Sequence, residues 1–432
     1  MNGVSTWLLI LTPLLPLVLA VPALRARLPW PCHVALLPAL ALLAMPADAA
    51  VDLPWLLLGS GLALDAGLGR WPLAMAVLVW GAAASLLPAA GGRPVDARLA
   101  SWFLLTLSGG LGAILATELV GFFSFSVLMG YGFYALLVSG GDVPARRAAR
   151  VYLVLLIVAD LALFEALLMA ASTAGETAFE AVRPAMTASP SAALYVAMVL
   201  VGFAARAGLW PLHVWLVPLS RSVRPGVVLL LGAVPVATAL LGLVRWLPLG
   251  DASLPGAGLV VQGMGVAAVL SALVAMARRR GCASWPAWGC VLATGLFAIA
   301  LGAGLADAAV WGRFGGWAGL FIAAVGLAVA LPVAACAWRR PGGVPVAGRA
   351  DDAPAWFERW AAAAVRRAAR LGMETLPRWR AAGLAGAARL WRVRAWRRAL
   401  DGGERLLQRW ACAVILVVLL GGLVAFLAAV AS

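Results

Sequence analysis

Residues 202–215 read Gly-Phe-Ala-Ala-Arg-Ala-Gly-Leu-Trp-Pro-Leu-His-Val-Trp, and Pro218-Leu219-Ser220-Arg221 follows shortly after. The run sets Arg206 and His213 inside an otherwise apolar stretch, with Gly208 and Pro211 between them. A guanidinium at the centre of a bilayer costs about 2.5–3.5 kcal/mol on insertion scales, so it stays there only for a reason. Glycine and proline at this spacing predict a discontinuous helix. Its freed backbone groups must then face protein or a wet cavity rather than lipid.

The rest of the chain agrees with a membrane setting. Of its 432 residues, 64% are hydrophobic and 12% charged, and the mean hydropathy is +0.98. No soluble domain of this length hides so much apolar surface, so the fold class is an all-α polytopic membrane protein. Apolar windows predict about twelve spans, near 5–24, 33–49, 73–90, 101–117, 119–139, 151–172, 193–213, 226–247, 257–277, 286–306, 315–337 and 410–431. The seventh is the broken one, and Pro235 marks a kink or second break in the eighth. The first apolar segment lacks a basic flank and reads as a retained span rather than a signal peptide.

All 33 basic residues are arginine, and the net charge is +15. Loops after odd-numbered spans hold Arg25 and Arg27, Arg93 and Arg98, Arg146, Arg147 and Arg150, Arg221 and Arg224, and Arg278 to Arg280. Loops after even-numbered spans hold only Arg70, Arg183 and Arg313, together with Asp52, Asp65, Glu176, Glu180, Asp251 and Asp307. The positive-inside rule makes the odd loops cytoplasmic and both termini periplasmic, in a bacterial inner membrane. Arginine at span ends also argues against nucleic acid as a partner.

Residues 339–409 stand apart. They carry sixteen arginines interleaved with Trp356, Trp360, Trp379, Trp391 and Trp396. This composition predicts an amphipathic lateral segment on the cytoplasmic face, with anionic lipid head groups as partners. Three regions follow: a transmembrane bundle at 1–338, the lateral segment at 339–409, and a C-terminal transmembrane helix at 410–432.

Few residues can carry chemistry. Five cysteines show no ligand spacing, and His33 and His213 are the two histidines, so no metal or cofactor is expected and no catalytic centre is visible. Asp160 and Glu165 are the carboxylates well inside a span. Five residues apart, they sit about 140° round a helix from each other and cannot share one face. One of them is a natural partner for Arg206. Arg206 itself is a fixed charge or half of an ion pair, because arginine does not release its proton. His213 is a structural or gating contact beside Trp215, or a titrating relay group. Asp65 is placed to cap the third span.

The stretch Met198–Arg245 resembles the antiporter-like membrane subunits of respiratory complex I, Mrp-type antiporters, group 4 hydrogenases and DAB-type carbon accumulators. The resemblance rests on Gly202, Arg206, Gly208, Pro211, His213, Trp215 and Leu216, closing on Arg245. It implies an ion-translocating fold whose partners are other membrane subunits, in which any redox or hydrolytic chemistry belongs to neighbours. Arg206 stands where that family has a lysine, Val127 where its fifth helix has a glutamate, and Leu231 and Ala237 where its eighth has a histidine or lysine. Three readings remain open at this point. The first is a subunit of a complex I-related assembly with a reduced or silent proton pathway. The second is an active proton or cation conductor using Asp160, Glu165, Arg206 and His213. The third is a membrane docking subunit for a soluble cytoplasmic enzyme in a carbon-accumulating complex.

Overall fold

A computed structural model describes residues 3–26, 28, 30–45, 49–52, 61–87, 97–139, 143–222, 225–278 and 285–339. The predicted lateral segment beyond residue 339 and the predicted final span at 410–431 lie outside the described residues.

Eleven of the predicted spans fall on helical segments. They are α1 (Gly3–Leu19), α2 (Leu37–Ala44), α3 (Arg70–Leu86), α4 (Ala97–Leu115), α5 (Leu119–Ser139) and α6 (Val143–Ala174). Next comes α7 (Ala192–Ala207), whose second half is Leu216–Ser222. The eighth, α8, runs as Pro225–Leu231, a π-helical turn at Gly232–Val236, and Ala237–Trp246. Last are α9 (Pro255–Arg278), α10 (Trp285–Ala306) and α11 (Ala318–Arg339). Eight segments among the described residues are long and apolar enough to cross a membrane, making this a multi-pass membrane protein. Val4–Leu19, Pro31–Ala44 and Arg70–Leu86 are shorter.

Two elements differ from the sequence reading. The second predicted span is split into Pro31–Val34 and α2. Both pieces carry proline in the first turn, a position that starts helices and cannot extend one already running. The loop after it also holds a two-stranded antiparallel sheet, β1 (Ala49–Asp52) on β2 (Gly61–Leu64), with Val51 opposite Leu62. Its strands are four residues each, too short and too uniformly apolar for alternation to stand out.

α4 and α8 form the centre: the α8 span is wholly buried and α4 94% so. α9 lies at the periphery, with 22% of its span buried. It packs on α10 through Gly258 and Gly265, set against Gly302 and Gly295.

The loops sort by parity. On the even face, the strand β2 bridges Ala116 through Leu62, Leu119 N–H donates to Thr177 O at 2.9 Å, and Leu254 N–H donates to Leu305 O at 2.7 Å. These contacts join the loops after spans two, four and six, and those after eight and ten. On the odd face, Arg25 folds back to donate to Ala20 O at 3.0 Å and to Ser101 Oγ at 2.8 Å, and also bonds Ala97 O. Besides Trp210 at the break in α7, exposed tryptophans mark both faces: Trp7, Trp71 and Trp317 on the even one, Trp30 and Trp285 on the odd one. All five sit at helix ends, where an amphipathic indole meets the head-group level.

Candidate functional site

The break in α7 is built by three residues. Gly208 ends the first half in the left-handed region (φ 62°, ψ 38°), and its N–H returns to Ala204 O. Leu209 N–H also donates to Ala204 O, at 3.0 Å. Proline at 211 follows a cis peptide, and a 3-10 turn, Leu212–Trp215, leads into the second half. A glycine just past the last turn with proline soon after is how a helix is stopped. The indole of fully buried Trp215 then donates to Ala205 O at 3.2 Å, satisfying a carbonyl that the break frees. Its ring packs on Tyr152 with centroids 4.9 Å apart.

At Gly208 any other residue would adopt an unfavourable φ, and a Cβ there would sit 2.5 Å from Leu216 Cδ1. Gly208→Ala should therefore destabilise the protein by about 1–2 kcal/mol or more. Thermal unfolding in detergent reads this as a lower Tm.

Arg206 lies in the last turn of the first half of α7, where freed carbonyls favour a cation. It is 3% exposed, and its Nη2 forms an ion pair with Asp160 Oδ1 on α6. The Asp160 side chain is 13% exposed. Gly202 makes the contact possible. A Cβ at that position would meet Leu163 Cγ at 2.5 Å and Ala159 O at 3.2 Å, so α6 and α7 touch one turn from Arg206. Tyr131, on α5, lies beside this pair, and the second carboxylate oxygen, Asp160 Oδ2, is buried without a hydrogen-bond partner among the described residues. Three helices thus meet at one charge pair.

The other candidates lie elsewhere. Glu165 is exposed on the outer side of α6, away from Asp160. His213 faces α10, its ring 5.6 Å from that of Trp288, and its buried Nδ1 has no hydrogen-bond partner among the described residues. Pro235 sits inside the π-helical turn of α8, and Gly232 in the same turn packs against Val329 of α11. The π turn absorbs the missing proline donor without a break. Leu231 and Ala237 flank that turn as buried apolar positions. Asp65 accepts from Gly67 N and Leu68 N, so it ties the turn ahead of α3, whose N-cap is Gly69.

Two participants escaped the sequence reading. Tyr131 is four residues beyond Val127, hence one turn along the same side of α5. That offset is the signal that could have found it. Arg245, noted only as the close of α8, is 6% exposed. It donates to Ala113 O at 3.0 Å, Ala116 O at 2.8 Å and Ile114 O at 2.8 Å. These are the last carbonyls of α4, so one guanidinium caps a helix end. The ring of Phe179 lies 5.7 Å from its carbon.

Residues 116–280 match a family described as NADH:quinone oxidoreductase/Mrp antiporter, transmembrane region. Among curated proteins none matches the chain significantly by sequence. Two solved structures share its fold. One is a chain of the membrane-bound sulfane sulfur reductase, an archaeal respiratory membrane complex, with TM-score 0.60 and 18% identity over 70% of this chain and 65% of that one. Another is a chain of the Mrp complex from Dietzia sp. DQ12-45-1b, with TM-score 0.57 and 21% identity over 76% of this chain and 36% of that one. The chain spans less than two thirds of the length of either. The matched segment runs from the start of α5 through α9 and contains the broken helix and its ion pair, so it is this part of the chain that is similar to the antiporter-like membrane subunits.

Proposed function

We propose that this chain is an antiporter-like subunit of a complex I-related membrane assembly in which the proton pathway is reduced or silent. The observation that carries this is the Arg206–Asp160 pair. Its cation cannot give up a proton, and its carboxylate is engaged by that cation. A relay needs neighbouring groups that exchange protons. The nearest positions on α8 in the family pattern are the apolar Leu231 and Ala237. Asp307 and Arg313, the charged residues near the start of α11, are an exposed helix cap and an exposed loop-helix residue on the even face.

The likeness to subunits of respiratory and antiporter complexes supports other membrane subunits as partners. The arginine content of 339–409 supports contact with anionic lipid or with a soluble cytoplasmic module. The arginine parity supports an inner-membrane position with both termini periplasmic.

The test is proton flux into proteoliposomes carrying the full chain, driven by an imposed potential. Wild type, Asp160→Asn and Arg206→Ala are all expected to match protein-free vesicles. Wild-type flux that falls about tenfold or more in Asp160→Asn would overturn the silent-pathway reading in favour of a conductor.

A further inference from the structure

Glu165 is the intramembrane carboxylate that nothing above explains. Asp160 turns inward to Arg206, whereas Glu165 is exposed on the opposite side of α6. Along the same outward side run Val154, Ile157, Val158 and Leu161, all exposed, Leu161 to 66%. Glu165 lies about 13 Å along the helix from its even-face end at Ala174 and about 26 Å from Ala148. A carboxylate at that depth against acyl chains is costly, and such residues face protein and pair with one another or with backbone.

We propose that this side of α6 docks a transmembrane helix of a different membrane subunit, and that Glu165 pairs there with an arginine or lysine of that helix. The inference rests on the subunit reading above and adds the chemistry of one neighbour. Charge complementarity selects this occupant. A second copy of the chain offers no free cation at that depth: Arg206 is buried and engaged, and the other arginines of the described helices lie at or near helix ends. The chain's own last apolar run, 411–432, contains no charged residue. α11 ends at Arg339 on the odd face, where α6 begins, and that face is about 25 Å along α6 from Glu165.

The test places a photo-crosslinking amino acid at Leu161 in the otherwise wild-type full chain, in native membranes, and sequences the adduct. The expected product joins Leu161 to a transmembrane segment of a different protein that contains arginine or lysine. Glu165→Arg should then reduce co-purification of that protein by about tenfold or more, a change of about 1.4 kcal/mol. Reversing the partner's cation to glutamate should restore it. An adduct only to lipid, to a second copy or to residues 411–432 overturns the inference, as does undiminished co-purification of Glu165→Arg. A chain that migrates alone on native gels overturns the subunit reading as well. An intact complex with the crosslink absent overturns this inference only.

Discussion

Arg206→Ala is expected to destabilise the folded protein by about 3–5 kcal/mol, the cost of leaving one member of a buried pair uncompensated. Asp160 would then stand mid-span without a charged partner. Asp160→Asn should be milder, about 1.5–3 kcal/mol, since the amide still accepts a hydrogen bond from the guanidinium. The decisive variant is the double substitution Arg206→Leu with Asp160→Leu. Replacing both charges by apolar groups removes the desolvation penalty along with the attraction, so the double variant should melt above Arg206→Ala alone. Thermal unfolding of wild type, Arg206→Leu, Asp160→Leu and the double variant in one detergent measures this as a double-mutant cycle. Additive losses would mean that the two side chains do not act as a pair.

Arg245→Ala is expected to be as costly, again about 3–5 kcal/mol, by a different route. It unties three carbonyls at the end of α4 that are otherwise buried. Each charge-assisted bond is worth about 1.5–3 kcal/mol, though the three are not additive. Arg245→Lys separates charge from geometry. The ammonium keeps the favourable interaction with the helix end but lacks the planar fork, so about half the loss should remain. A lysine variant with wild-type Tm would show that charge alone suffices there.

The legible parts of this protein were those written locally. Gly208 and Pro211 spell a helix stop, and arginine parity orders the loops, because each signal acts within a turn or at a membrane boundary. Asp160 was a candidate partner for Arg206 because both are charges in apolar runs, and few residues compete for that role. The contacts that span the chain were not legible. Arg245 reaches carbonyls some 130 positions away in sequence, and a backbone acceptor carries no side-chain signature. Tyr131 reads as an ordinary aromatic in an apolar helix until α5 and α6 are set side by side. The hairpin at 49–64 was hidden because its strands are as apolar as the helices around it. Pro235 shows the limit from the other side: its presence signals strain in α8, while its neighbours decide that the strain becomes a π turn rather than a gap.

The clamp from Arg245 to α4 also bears on how the molecule can move. With its far end pinned to the end of α4, α8 and α4 turn as one body. The second half of α7 is joined to the first through Gly208 and a four-residue 3-10 turn, outside that clamp. The joint at Gly208 lies within one turn of Arg206, so the charge pair sits beside the one place where α7 is not held by its own helical ladder.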